Sequence, residues 1–191
     1  MQTFRSWAVA GTLLGLSSMA MAASQPFSGT LSGNDPVYNR TLSGNPPAAL
    51  SAVGTAVSYD LFPFYVTAAG SYTLQTLSAT LSPGTADDTF LALYQTSFNP
   101  LAPLTNAVRA DDDSGAGSLS MFSSVLNPGT QYYMVVTSFS NGAFGNYTGS
   151  IDNAGANSTV IFGMVPEPAS ALMMLSALGL GGLMARRRKA A

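Results

Sequence analysis

The stretch Asn127-Pro128-Gly129-Thr130, followed by Gln131-Tyr-Tyr-Met-Val-Val-Thr137, decides the fold class. Pro-Gly inside a short polar segment is typical of a tight turn, because proline fixes φ and glycine accepts a positive φ. Most of the seven residues that follow are β-branched or aromatic, and their apolar positions lack a helical spacing. This stretch therefore predicts a turn that leads into a β-strand over 131–137.

Seven further stretches carry strand patterns, with turn residues between them at intervals of about ten residues. They cover 27–31, 37–42, 57–66, 72–76, 89–94, 121–126 and 147–151. A last stretch at 160–162 is either a short strand or part of a flexible spacer. With no helical pattern between them, these strands predict an all-β fold, namely an antiparallel, jelly-roll-like β-sandwich.

Two features bear on how the strands pair. We expect 131–137 to pair with 147–151, because a short loop around Asn141-Gly142 is all that separates them. Pro63 cannot donate a ladder hydrogen bond, so it predicts that strand 57–66 lies at a sheet edge or bends there.

The region between the two ends of the chain is acidic and lacks cysteine. Residues 23–164 contain two cations, Arg40 and Arg109, against eight aspartates, which gives a net charge of −6. This charge argues against nucleic acid as a partner, because phosphate contacts need clustered Lys and Arg. Without cysteine, the domain must be held together by core packing alone.

Four segments of this region follow one another in an order that is found in a known family. They are Asp88–Tyr94, Ala110–Gly115, Leu126–Val136 and Gly145–Thr148. In this order they resemble bacterial pre-peptidase C-terminal domains, over about residues 60–151. The resemblance implies a small β-sandwich of the kind attached to secreted proteins, where it is thought to bind matrix or assist export.

Residues 1–22 have the pattern of a secretory signal peptide. Arg5 supplies the positive charge, Trp7 to Leu16 form the apolar part, and Ala20 and Ala22 are the small residues before the cut. The sequence therefore predicts export through the Sec translocon and cleavage by signal peptidase after Ala22. An uncleaved N-terminal anchor is the alternative.

The C-terminal end has three consecutive parts. Val165-Pro166-Glu167-Pro168 precedes the uncharged apolar run Ala169 to Ala185, and Arg186-Arg187-Arg188-Lys189 follows it. As a helix the run would span roughly 25 Å, slightly short of the ~30 Å hydrocarbon core of a bilayer. Cations beside a membrane helix stay in the cytoplasm, so we expect the body to face outward. A buried core helix is the alternative, but it does not explain the lack of a polar face.

In this order these three parts resemble the PEP-CTERM protein-sorting signal of Gram-negative bacteria, over residues 165–189. The resemblance implies a transmembrane helix that is recognised by exosortase, a membrane-embedded cysteine transpeptidase that cuts near the Pro-Glu-Pro. It also implies an inner-membrane anchored precursor that is later delivered to the outer surface or the extracellular matrix, and an association with exopolysaccharide and biofilm.

These patterns divide the chain into five segments. They are a signal peptide (1–22), poorly defined strands and loops (23–54), a β-sandwich core (55–152), a spacer or last strand (153–164) and the sorting signal (165–189).

The composition argues against catalysis. The chain contains no histidine and no cysteine, and its one glutamate is Glu167. Ser-His-Asp and Cys-His nucleophilic systems and the usual zinc sites are therefore excluded. A hydrolase would need a pair of aspartates. We expect a non-enzymatic protein with no catalytic residues.

Five aspartates form the candidate metal site. Asp111, Asp112 and Asp113 precede a glycine-rich loop, and Asp87 and Asp88 precede a strand that could neighbour this loop. Ca²⁺ prefers six to eight oxygen ligands, which carboxylates and loop carbonyls supply, although the spacing is not that of an EF-hand. The alternative is a solvated acidic turn whose carboxylates cap backbone N–H groups. Calcium is the one cofactor that the sequence suggests.

Ten aromatic side chains could stack on sugars, but aromatic residues in alternating strands more often form core and cross-strand pairs. They are Phe62, Phe64, Tyr65, Tyr72, Tyr94, Tyr132, Tyr133, Phe139, Phe144 and Tyr147. Phe139 and Phe144 are the two that we least expect to be buried.

The sequence thus predicts an exported, non-enzymatic cell-surface or extracellular-matrix protein that is sorted by exosortase and linked to exopolysaccharide or biofilm. The alternative function is a calcium- or glycan-binding adhesion module.

Overall fold

The computed structural model describes residues 24–153 and 158–166. The predicted signal peptide, residues 167 and 168 of the sorting motif, the apolar run and the basic cluster lie outside the described residues. The described part consists of β-strands, turns and loops, and it contains no helix. Within it, no helix is long and apolar enough to span a membrane.

Ten strands follow one another along the described chain. They are β1 (Ser24–Leu31), β2 (Val37–Tyr38), β3 (Val57–Val66), β4 (Gly70–Ala79), β5 (Thr89–Gln95), β6 (Ala107–Asp111), β7 (Met121–Leu126), β8 (Tyr132–Ser138), β9 (Gly145–Asn153) and β10 (Val160–Phe162). The stretch at 160–162 is thus a strand, whereas the predicted strand at 37–42 is reduced to the two residues of β2.

The strands form two antiparallel sheets. One has the order β1-β9-β4-β7, and the other has the order β10-β3-β8-β5-β6, with β2 paired to the start of β3. The pairs β1–β9, β3–β8, β4–β7 and β5–β6 make the chain one long hairpin that is rolled into two sheets, which is the strand order of a jelly roll. The predicted all-β antiparallel sandwich is confirmed.

The main core lies between the two sheets. Leu74 and Ile151 reach into it from the four-stranded sheet, and Phe64, Leu91 and Met134 from the six-stranded sheet. Since successive side chains of a strand point to opposite faces, the next residues of β5 and β8 lie on the outer face of the six-stranded sheet. A second cluster covers them there.

This second cluster contains Phe90 and Tyr94 of β5, Val135 of β8, Val57 of β3 and Tyr38 of β2. It buries the outer face of β5, so all but the last residue of that strand are buried.

The predicted pairing of 131–137 with 147–151 is wrong. β8 pairs with β3 and β5, whereas β9 belongs to the other sheet and pairs with β1 and β4. Both edges of β8 are already occupied, so the next strand along the chain has to join the opposite sheet. There its inward residues Tyr147 and Ile151 close the core from the other side.

Pro63 lies where its missing N–H is harmless. The outer edge of β3 is covered by β2 at residues 57–58 and by β10 at residues 64–66, and Pro63 lies between these two short partners. The predicted edge position is nevertheless wrong for the strand as a whole, because β3 lies between β8 on one side and β10 and β2 on the other. The strand β6 was not predicted, because its five residues carry no clear alternation and follow a proline-containing loop.

Candidate functional site

The predicted sorting motif begins in contact with the folded body. The backbone N–H of Val165 donates to Oε1 of Gln131 at 2.6 Å. Val165 is half-buried and Pro166 is exposed. Two residues, Gly163 and Met164, separate the end of β10 from the motif.

Three of the five predicted calcium ligands come together at one end of the sandwich. Because β5 and β6 are paired neighbours, the loop before β5 and the loop after β6 leave the sheet at the same end. This places Asp88 beside Asp112 and Asp113, and carboxylate oxygens of the three residues lie within 4.8 Å of one another. Asp88 and Asp112 are half-buried, and Asp113 is exposed. We refer to these three residues as the acidic cluster.

A buried arginine faces the acidic cluster. Arg40 is 2% exposed, and its guanidinium carbon lies 4.2 Å from the ring centroid of Phe90 and 4.4 Å from that of Phe139. Its Nε donates to the Phe139 carbonyl at 2.8 Å, and its Nη1 donates to the Thr41 carbonyl at 3.1 Å. Two aromatic faces and two carbonyl oxygens therefore hold the cation in place.

The cluster and the arginine shift one another's pKa. Burial, followed by the charge of Asp113, raises the pKa of Asp112 to about 6, although Arg40 acts in the opposite direction. The same causes raise the pKa of Asp88. Burial lowers the pKa of Arg40, and the attraction of the carboxylates, Asp112 foremost, opposes this shift. The positive charge of Arg40 thus offsets only part of the cost of holding these carboxylates together.

The chemistry of the acidic cluster fits a cation in part. Oδ1 of Asp112 is buried and has no hydrogen-bond partner among the described residues. Three carboxylates supply three to six oxygens, so Ca²⁺ would need further oxygens from water or backbone carbonyls to complete its shell. The charge of Arg40 counts against a bound cation, since like charges repel.

Asp87 and Asp111, the other two predicted ligands, bind the backbone of the glycine-rich loop. Asp111 accepts hydrogen bonds from the N–H of Ser114 at 3.1 Å and from the N–H of Met121, the first residue of β7, at 2.9 Å. Asp87 accepts one from the N–H of Ser118 at 3.2 Å. These contacts are the capping role that the alternative reading assigned to the aspartates, and they shape the loop that carries the acidic cluster.

A buried network of hydroxyl groups fixes the far end of the same loop. Oγ1 of Thr76 lies 2.8 Å from Oγ1 of Thr89, and the N–H of Ser120 donates to both, at 3.0 and 3.1 Å. All three side chains are buried. The loop between β6 and β7 is therefore attached at both ends.

Sequence reasoning missed two residues of these sites. Arg40 lies in the segment that was hardest to interpret, although its being one of two cations in residues 23–164 was a usable signal. Gln131 was assigned to the most clearly predicted strand, and nothing in its sequence context indicates a contact with residue 165.

The aromatic side chains are mostly core residues. Phe64, Tyr72, Tyr94, Tyr132 and Tyr147 are all at most 2% exposed. The interpretation of the strand aromatics as core is confirmed for these five. Phe139 and Phe144, which we least expected to be buried, are both half-buried.

Comparison with known protein families identifies the C-terminal end. The family described as the PEP-CTERM protein-sorting motif matches residues 165–189, so the predicted recognition of this motif is confirmed. The motif implies a membrane-anchored precursor that is exported to the cell surface and processed by exosortase. No curated protein matches the chain.

Proposed function

We propose that this chain is a non-enzymatic protein of the cell surface or extracellular matrix, linked to exopolysaccharide or biofilm. In this proposal the Sec translocon and signal peptidase remove residues 1–22, the apolar run holds the precursor in the inner membrane, and exosortase cuts near the Pro-Glu-Pro. The observation that carries the proposal is the match of residues 165–189 to the sorting motif.

Three properties support a non-enzymatic role without nucleic acid. The chain has no histidine or cysteine, so the common nucleophilic systems cannot be built from it. The carboxylates that the structure brings together interact with the buried cation Arg40. A net charge of −6 on residues 23–164 repels phosphate backbones.

The proposal is tested by the intact mass and the location of the protein in a host that has exosortase. The wild-type chain should lose residues 1–22 and its apolar run and should leave the membrane fraction. Glu167→Ala should stay in the membrane with the C-terminal end intact, whereas Asp35→Ala, which removes a carboxylate far along the chain from the motif, should be processed normally. A full-length soluble protein in the cytosol would contradict the proposal.

The second candidate function is calcium binding at the acidic cluster. It is favoured by the three carboxylates within 4.8 Å and by the unpartnered Oδ1 of Asp112. Calcium would replace part of the repulsion among the carboxylates with attraction and would link the loops before β5 and after β6. A module for adhesion to glycans is the related alternative, and a glycan array with the processed protein tests it.

Calcium binding is tested by thermal unfolding of the processed protein with Ca²⁺ and with chelator. We expect Ca²⁺ to raise the Tm of the wild-type protein and of Asp87→Asn, because Asp87 lies outside the cluster. Asp113→Asn should abolish the shift at little structural cost, because Asp113 is exposed. An equal Tm with calcium and with chelator would exclude this function.

A further inference from the structure

Gln131 makes more contacts with the C-terminal segment than its place at the start of a strand requires. Its Nε2 lies within hydrogen-bond distance of the carbonyls of Phe64 at 3.1 Å, Tyr132 at 3.0 Å and Gly163 at 3.3 Å. Its Oε1 accepts the N–H of Val165 at 2.6 Å. One carboxamide therefore joins β3 and β8 to both ends of the segment 163–165.

The rest of the attachment of 163–165 is slight. The N–H of Gly163 donates to the Pro63 carbonyl at 2.7 Å, and Oη of Tyr133 lies 3.8 Å from Sδ of Met164. Met164 is 63% exposed, so the segment adds little buried apolar surface. Hydrogen bonds to the Gln131 side chain and to the Pro63 carbonyl, not core packing, hold the segment. Such a segment opens at a small fraction of the global free energy of unfolding.

The attachment leaves little chain between the body and the apolar run. Three residues, Pro166 to Pro168, separate Val165 from Ala169. The four residue steps from Val165 to Ala169 span at most about 14 Å when fully extended. The Pro-Glu-Pro lies inside this span. While 163–165 stay on the body, the first residue of the motif and the two residues before it are occupied by Gln131 and by β3. An enzyme that takes its peptide in extended form, as strand-type peptide recognition requires, cannot bind them.

We propose that Gln131 is a latch for the sorting motif: residues 163–165 must detach from it before exosortase processes the chain. This inference rests on the proposed function and adds a regulatory step to it. Only the detached fraction of the precursor is then competent, so its population sets the apparent rate of processing. Gln131 acts as a positioning residue, since it bears on the reaction through Val165.

Two variants open the latch from opposite sides. Gln131→Ala removes the carboxamide. Gly163→Ala leaves Gln131 and the Pro-Glu-Pro unchanged, but it strains the backbone, because Gly163 has φ +128°. The strain is the only steric effect of this change, since an added Cβ would meet no atom within 4 Å. The matched controls are Gln75→Ala, which removes a glutamine that bonds Asp152 on the other sheet, and Gly84→Ala, at φ +112° with equally open surroundings.

The experiment follows conversion of the full-length precursor to the processed form over time in the host, and it measures hydrogen exchange of the Val165 amide in the purified precursor. Both latch variants should be processed roughly fivefold to tenfold faster than wild type, and the Val165 amide should lose its protection by a similar factor. Both controls should match wild type in both measurements.

Equal processing rates in all five proteins, or slower processing of the latch variants, would overturn the latch while exosortase processing itself still stands. If the Val165 amide exchanges as fast in wild type as in Gln131→Ala, the latch is also overturned. A wild-type precursor that is never processed contradicts the proposed function, and the latch proposal with it.

Discussion

At the scale of single residues, Arg40 has the least common environment for its type. Charged side chains are almost never fully buried unless they are paired, and Arg40 is 2% exposed. The planar guanidinium fits between the rings of Phe90 and Phe139, an arrangement that the compact ammonium of lysine cannot reproduce. Gly54 leaves room for it, since a Cβ there would lie 2.7 Å from Cγ of Arg40.

We expect Arg40→Met to lower the free energy of unfolding by about 3 kcal/mol, because it leaves the half-buried Asp112 without its opposite charge. Arg40→Lys should be intermediate, since it keeps the charge and loses the stacked plane. Urea unfolding monitored by circular dichroism measures both. Arg109→Lys is the control, because Arg109 is half-buried and its side chain donates to the Ser123 carbonyl in a hydrogen bond that is exposed to solvent. A loss of less than 0.5 kcal/mol in Arg40→Met would contradict the assigned role.

The raised pKa of Asp112 makes its contribution to stability depend on pH. A carboxyl group whose pKa is higher in the folded than in the unfolded chain favours folding while it is protonated. That contribution is complete below about pH 4 and is lost as the pH rises through about 6. Asp88 and Asp60 have pKa values raised in the same direction, and Asp152 has a lowered one. The pH dependence of the stability of the wild-type protein therefore does not by itself give the contribution of Asp112.

Comparison with Asp112→Asn isolates it. Between pH 4 and pH 7 the wild-type protein should lose about 1 kcal/mol relative to the variant, a value reduced from the full shift because Asp112 is only half-buried. Urea unfolding at a series of pH values measures the difference. If the difference stays flat over this range, the folded pKa of Asp112 is not raised.

At the scale of elements, one contact ties the two sheets together away from the acidic cluster. Oη of Tyr147 on β9 donates to Oδ2 of Asp60 on β3 at 2.5 Å. Gly29 on β1 lies directly over this pair, and a Cβ at Gly29 would overlap both Tyr147 Oη and Asp60 Oδ2. β1 can pack over the contact between the sheets only because this position has no side chain.

Gly29→Ala should therefore lower the free energy of unfolding by about 2–4 kcal/mol, since the added methyl either breaks the hydrogen bond or moves β1 away from β9. Gly33→Ala, four residues further along, is the matched control. A Cβ there would meet only the ring of Phe144, at an ordinary 3.6 Å. Thermal unfolding of both variants makes the comparison. An equal Tm for the two would show that Gly29 is not needed for this packing.

Strand positions were largely predictable from the sequence. The predicted strands at 57–66, 121–126 and 160–162 coincide with β3, β7 and β10, because alternating or β-rich residues between turns leave few other choices. β6 was not predicted, because its sequence Ala-Val-Arg-Ala-Asp does not alternate between apolar and polar residues. The acidic cluster was partly predictable. The sequence identified five candidate aspartates, but the pairing of β5 with β6 determines which three of them lie close together.

At the scale of the whole molecule, most strands pair with strands that are distant in sequence, as in a jelly roll, and not with the next strand along the chain. Among the strands of residues 24–153 and 158–166, consecutive strands pair only in β5–β6 and in the short β2–β3. Each other pair of the roll brings together strands that are more distant in sequence. Turn residues report where a strand ends, but they carry no information on the sheet that the next strand joins. The wrong pairing of 131–137 with 147–151 has this origin.

The same topology predicts which end of the chain the fold depends on. β1 pairs along all eight of its residues with β9 and buries Phe27 and Leu31 in the main core. Deletion of residues 24–31 removes the free energy gained by burying these two side chains, about 1.5–3 kcal/mol each, and exposes the edge of β9. A domain with a total stability of 5–15 kcal/mol cannot absorb this loss together with eight lost pairings, so we expect the deletion to abolish cooperative unfolding. Truncation after Pro166 leaves all ten strands intact and should keep the Tm of the full chain within about 4 °C. Circular dichroism melts and resistance to protease compare the deletion variant with the truncated chain. A cooperative melt of the deletion variant would show that the fold does not depend on β1.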